Sequence, residues 1–353
     1  MSYLKNLFLT ILTLVAITIV LEIIFNILPT SDSEQTQKVD KKNPYLHLVK
    51  NKKLLISSGT FFEIKATKKT NNFGQFSDVN YEVNGSNKNL ITIGSSLVAA
   101  NQVSNSLSFH GLINSKLPKE KSIYMLAGAN APHSQYLAYT KLALEKFNPY
   151  AFIIVIGSLD FKGSLLKNSL PNSGYHYFFN NKNGSPLVLN EYNPSKIKVF
   201  LRNFATARYL FLNARVQSVN FSPKPKTPPE ESGSDKFDNF ENDILMKRFL
   251  SDLQIVTKNI PTLLVINSFG SLDKNNYLDI PINLEQRKKF FILMSRKYNF
   301  EVVDLNPAFS SDFKINRKRF EWINDQGHWN VDGHRVVADT IMSSDIYKKY
   351  VKN

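Results

Sequence analysis

The chain has 353 residues, of which 42% are apolar and 12% aromatic, contains no cysteine, and carries a formal charge of +15. That is enough chain for one large domain or two small ones with a real core, and the missing thiols exclude disulfides and thiolate metal sites. The positive balance favours anionic lipid, acidic polysaccharide or nucleic acid, but the basic residues are scattered and no zinc-finger spacing or RNA-binding aromatic motif occurs, so nucleic acid is set aside as a partner.

The run Leu7 to Leu28 (LFLTILTLVAITIVLEIIFNIL) holds 22 residues, enough as a helix to cross a hydrocarbon core of ~30 Å. Pro29 ends it. Glu22 and Asn26 intrude near its C-terminal end, where a side chain can reach the interface. The expectation is a retained signal anchor over 7–28 behind a short tail, 1–6. A cleavable signal peptide is the alternative. Against it stand the length of the run and the lack of a small-x-small cleavage site. Lys5 before the span and Lys38, Lys41 and Lys42 after it leave the charge rule undecided. A tiny tail and a large C-terminal part favour the tail inside and the domain outside the cytoplasm, periplasmic or at the cell surface.

Residues 29–69 read as a stalk and the entry to the domain. Thr70-Asn71-Asn72-Phe73-Gly74 is rich in turn formers. Five apolar stretches then read as buried strands: 89–94, 122–126, 151–156, 262–267 and 301–305. Helical spacing lies between and after them, at 107–117, 134–147, 195–217, 241–258, 283–298 and 333–347. Residues 221–240 are poor in apolar residues and rich in Pro, Ser and charge, which predicts a flexible part of an insertion at about 163–255. Alternating strands and helices imply an α/β three-layer sandwich: one domain over 70–350 with a mostly parallel, roughly five-stranded sheet of flavodoxin-like type, plus the N-terminal transmembrane helix. Sites in such sheets lie beyond the carboxyl ends of the strands. The loops Gly94–Ser96, Ala127–Asn130 and Gly157–Asp160 are therefore expected to converge.

A further stretch, Asn324 to Arg335, holds Asp325 and His328 three residues apart, just before the last helix. A histidine exchanges protons near neutral pH, and a carboxylate beside it fixes its tautomer and stabilises its charged form. The nucleophile must come from elsewhere in the chain. Other residues have plainer readings. Trp329 reads as a core or pocket-wall ring, and Asn330 or Asp332 as the cap of the last helix. His334 reads as structural, and His110, His133 and His176 as core or surface residues. Asp160 shapes its loop.

Together these residues resemble the SGNH branch of the GDSL esterase/lipase superfamily, over roughly 70–350. The family's first block, Gly-Asp-Ser, is matched by Gly94-Ser95-Ser96, and its last, Asp-x-x-His, by Asp325-Gln326-Gly327-His328. The continuation His328 to Ala338, the Thr70–Gly74 turn and the aromatic stretch Tyr175 to Phe179 are similar to membrane-anchored, extracytoplasmic members. The resemblance implies Ser96 as nucleophile, His328 as base and Asp325 as its orienter. The backbone of Ser96 and of Gly128 would be oxyanion donors, with Asn130 as the alternative to Gly128. No metal or organic cofactor is implied. Implied partners are the bilayer, an acylated polysaccharide or other cell-surface glycan, and a membrane protein that donates acyl groups. Two positions depart from the pattern: Ser95 stands where the family has Asp, and Leu159 in Gly157-Ser158-Leu159-Asp160 stands where it has the oxyanion Asn. Loss of one oxyanion donor typically costs about 10²–10³ in turnover. The competing expectation is therefore an inactive relative kept as a glycan-binding or assembly partner.

Overall fold

Strands β3 (Asn89–Gly94), β4 (Ser122–Ala127), β5 (Pro149–Ile156), β8 (Thr262–Ile266) and β9 (Glu301–Asp304) form one parallel sheet in the order β4-β3-β5-β8-β9. The computed structural model describes residues 2–169, 177–182, 186–216, 239–267, 282–323 and 325–351. Every residue of β3 and β8 is buried, as a parallel sheet covered on both faces requires. Helices α3 (Phe109–Asn114), α9 (Asn306–Asn316) and α10 (Val331–Met342) cover one face, through Phe109, Ile113, Phe309, Val337 and Ile341. Helices α4 (His133–Lys146), α7 (Asn239–Thr257) and α8 (Ile282–Lys297) cover the other, through Tyr136, Leu137, Phe249, Leu253 and Phe291. The expected α/β three-layer architecture is thus present, and the predicted strand edges shift by a residue or two.

Helix α1 (Ser2–Ile27) is long and apolar enough to cross a membrane, and none of its apolar stretch is buried in the protein. Residues 29–69, read as stalk and domain entry, lie against the domain rather than free. Thr30, Ser31 and Ser33 are buried and Val39 is fully so. Val39 pairs with Tyr192, and the hairpin of β1 (Lys53–Ser58) and β2 (Ile64–Lys69) places Leu54 and Ile56 in the core. The short strands β6 (Tyr177–Phe179) and β7 (Leu187–Leu189) pair antiparallel. Tyr175, His176 and most of the 221–240 insertion lie outside the described residues.

The helix expected over 195–217 is broken into α5 (Lys196–Leu201), α6 (Ala205–Arg208) and a π turn, Tyr209–Asn213. Phe204 has extended backbone and restarts the chain as the cap of α6. The Glu22 carboxylate on α1 accepts the Ala205 and Thr206 amides at 2.7 and 3.0 Å. An anion on an open helix start satisfies donors that continuous helix would have used, so a tertiary partner decided this break.

Helix α10 starts where Asn330 accepts the Gly333 amide at 2.9 Å; Asn330, rather than Asp332, is the cap. A Cβ on Gly333 would sit 2.1 Å from the Phe320 carbonyl and 3.0 Å from Trp329 Cβ. Backbone cannot yield cheaply there, and overpacking of this kind costs about 1–3 kcal/mol or more. Gly333→Ala should lower the melting temperature of the purified chain measurably; an unchanged unfolding curve would refute the packing argument.

Candidate active site

The loops after β3, β4 and β5 leave the same edge of the sheet, because the strands are parallel and Gly94 sits level with Ala127. Strand β3 ends at Gly94, where any Cβ would meet Val98 at 2.4 Å. The chain then turns directly into α2 (Ser96–Ala99), with Ser96 as its first residue. Ser95 precedes it without a side-chain cap bond, so the first amides of this helix keep no intrahelical partner. Gly157, after β5, lets the loop approach closely: a Cβ there would lie 3.2 Å from Ser95 Oγ.

Asp325 and His328 lie on β11 (Asp325–Trp329), the second strand of a hairpin with β10 (Glu321–Trp322). In a regular strand, residues three apart point to opposite faces. Gly327 breaks that rule: its φ is +89°, a conformation open to glycine without strain, and the pairing register slips between Glu321 and Trp322. His328 Nδ1 thereby comes to 3.2 Å from Asp325 Oδ1. The ring nitrogen is off the line of a formed hydrogen bond. Such contacts in unliganded sites are often loose and tighten with substrate. Helix α2 packs against β11, which brings the Ser96 turn and the His328 strand together. Among the described residues, Ser96 Oγ and His328 share no hydrogen bond.

Three further groups hold this centre, and sequence reading had singled out none of them. Gln102 Nε2 donates to Asp325 Oδ2 at 2.7 Å. Arg215 Nη1 lies 3.7 Å from Asp325 Oδ1. Burial pushes the Asp325 carboxyl up, but His328, Gln102 and Arg215 together outweigh it, and the group rests below the ordinary carboxylate range. The third is Lys68, fully buried, whose Nζ donates to the carbonyls of Ala100 and Ala99 at 3.0 and 3.4 Å. It ties β2 to the C-terminus of α2, where Ala100 takes a left-handed backbone. Burial pushes its ammonium down to about 7, with Glu34 and Asp78 acting against that. Glu34 in turn receives both oxygens' bonds from Asn101, at 3.0 and 2.8 Å. These partners are separated by tens to hundreds of residues, so no local spacing signals them.

The remaining predicted residues sort clearly. Gly128 is buried after β4, and a Cβ there would meet Leu46 at 2.7 Å. It lines a cavity of about 170 Å³ with Ala99, Asn101 and His47. Asn130 takes a left-handed backbone and an exposed position, and its side chain makes no hydrogen bond among the described residues. Leu159 is buried in the aromatic cluster beneath the β5 loop, and its carbonyl accepts from Asn242 at 3.0 Å. It is a packing residue, which explains an apolar side chain at that position.

Trp329 is core, its ring N–H donating to Asn267 at 3.0 Å. His334 is buried, and its Nδ1 accepts the Phe109 amide at 3.2 Å. Burial, with His110, Lys68 and His328 nearby, pushes it well below its ordinary value. His133 donates to the Ser158 carbonyl at 3.0 Å and stacks on Phe161; burial pushes it to about 4. His110 is buried too, pushed to about 3. All three are core residues. Asp160 accepts the Lys162 amide at 3.0 Å and shapes its loop. Among the described residues no three His, Asp or Glu side chains converge as metal ligands.

No protein-family model matches this chain, and no curated protein matches it. Solved structures do show likeness. A structure described as a GDSL-like lipase from Parabacteroides merdae aligns at 13% identity and TM-score 0.38, over 75% of this chain and 96% of that one. A variant of an acetyl-xylooligosaccharide esterase from Geobacillus aligns at 13% and 0.38, over 76% and 98%. An alpha/beta hydrolase from the metagenome of Lake Arreo, Spain, aligns at 11% and 0.39, over 72% and 94%. Overlaps this loose carry no weight beyond the likeness itself; the fold is defined by the sheet order and layers above.

Removing the Gln102 donor takes away one group that favours the ionised form of Asp325. In Gln102→Leu the Asp325 carboxyl should therefore titrate at a higher pH than in the parent chain. Carboxyl carbon shifts in aspartate-labelled protein, assigned with Asp325→Asn, measure this. An unmoved titration would show that Gln102 does not set the charge state.

Proposed function

We propose that the chain is a membrane-anchored serine esterase or O-acyltransferase of the SGNH type. Its substrates are O-acyl groups, most simply O-acetyl, on a cell-envelope or exported polysaccharide. One observation carries the reading: a buried carboxylate lies 3.2 Å from a half-buried imidazole, on a strand packed against the helix that Ser96 begins. Ser96 is a weak nucleophile until a base takes its proton. His328 accepts that proton at Nε2, while Asp325 stabilises the imidazolium through Nδ1. Ser96 Oγ attacks the ester carbonyl, and the amides of Ser96 and Gly128, with Asn130 as the alternative to Gly128, receive the developing oxyanion. The alcohol leaves with the proton from His328. Water or a sugar hydroxyl then takes the acyl group from Ser96, with His328 again as base. Transfer to sugar calls for an acyl donor, which a partner membrane protein would supply. The apolar span Tyr3–Ile27 fits an anchor, with the domain outside the cytoplasm.

A second reading has its own support. Leu159 supplies no oxyanion donor, and Ser96 and His328 are not hydrogen-bonded, as a glycan-binding relative without turnover would allow. The two readings separate in one assay. Full-length protein in detergent should hydrolyse a small aryl acetate, and Ser96→Ala and His328→Ala should each lose about 10³-fold or more. Equal rates in all three chains, with no labelling of Ser96 by a fluorophosphonate, would favour the binding protein.

A further inference from the structure

The segment Lys196–Arg215 packs where α1 meets the domain, and it is unusual in two ways. Ile197 is 72% exposed, Phe200 60%, Phe204 41% and Phe211 45%. Interleaved with them are Lys196, Lys198, Arg202, Arg208 and Arg215, with no acidic residue in the segment. Arg202 and Arg208 donate to the Glu34 and Ser31 carbonyls and Arg215 faces Asp325, while Lys196 and Lys198 are exposed. An exposed apolar surface this dense marks a contact site, and basic residues beside aromatic and aliphatic ones suit the headgroup layer of an anionic bilayer.

Its position relative to α1 fixes its depth. The α6 amides bind Glu22, five residues before the end of the helix at Ile27. At 1.5 Å per residue that is about 8 Å inside the end of the apolar span. Tyr209 stacks on Phe25, ring centres 4.0 Å apart. Whatever surrounds the last two turns of α1 therefore also meets this segment. Lys198, Leu201, Arg202, Arg208 and Phe211 are among the residues that line a mostly apolar cavity of about 480 Å³. On its other side the segment reaches the candidate active site. Arg202, Phe211 and Arg215 line a second cavity, of about 380 Å³, together with Asp325 and Gln102.

We propose that Lys196–Arg215 is a second membrane contact: an amphipathic collar lying at the boundary between headgroups and acyl chains of an anionic bilayer, beside the N-terminal span. The collar sets the cavity at Asp325 against the lipid surface. It orients the domain, where a single helix joined to a free stalk would leave it able to turn. The proposal depends on α1 crossing the membrane but not on the chemistry at Ser96.

The chain has no cysteine, so one introduced thiol carries one probe. The full chain with Ile197→Cys, Phe200→Cys or Phe204→Cys is labelled with an environment-sensitive fluorophore. It is then reconstituted in vesicles of phosphatidylcholine, with and without phosphatidylglycerol. Lys119→Cys, before β4 at the amino ends of the strands, is the control. The proposal expects blue-shifted emission and several-fold stronger quenching by spin-labelled lipid at the three collar sites than at the control, deeper with the anionic lipid. Emission like the control, open to aqueous iodide, would overturn it. Protection from both lipid quencher and iodide would also overturn it, since protein and not lipid would then cover the face. Equal depth in both vesicle types would overturn the assignment of an anionic surface.

Discussion

A carboxylate removed from water must find partners, and in this protein Asp325 draws two of them from distant parts of the chain and a third from its own strand. Gln102 follows the helix begun by Ser96, Arg215 ends the segment beside the N-terminal helix, and His328 lies three residues on in the same strand. An uncompensated buried charge costs several kcal/mol, so these contacts are conditions for placing the acid there at all. By meeting them the fold brings the Ser96 turn, the basic segment and the imidazole to one place.

A second buried charge serves the same corner from behind. Lys68 carries no solvent exposure and spends its donors on the carbonyls that close α2. A four-residue helix has too few internal bonds to hold its own ends. The lysine, the Glu34–Asn101 pair and the close approach of Gly94 to Val98 supply what the helix lacks. The direction in which Ser96 faces is therefore set by residues that touch no substrate in the proposed reaction.

The N-terminal segments are integral to this arrangement. Glu34 comes from the stretch between the N-terminal helix and the first hairpin, and Asp32 accepts the Leu55 amide at 2.8 Å. Glu22, inside the apolar helix, is satisfied by amides of the domain. Two charge-assisted hydrogen bonds to one carboxylate make this contact a fixed joint between the helix and the domain.

The sheet could be read from sequence because a parallel strand buried on both faces must be apolar throughout. Asn89–Gly94, Pro149–Ile156 and Thr262–Ile266 announce themselves by composition alone. The Asp325–His328 pair was legible for a local reason too: the two residues share one bend, and Gly327 marks where the backbone turns. Sequence could not supply Gln102, Arg215, Lys68 or Glu34, because polar side chains carry no periodicity that names a distant partner. Nor could it show that Leu159 is a packing residue, or that the 195–217 helix restarts at Ala205. Both are settled by what lies across the gap, an aromatic cluster in one case and a carboxylate on another helix in the other. Periodicity and local bends fixed the layers and the acid–imidazole pair. Long-range satisfaction of buried charge, which exists only once the chain is folded, decided how the candidate site is held.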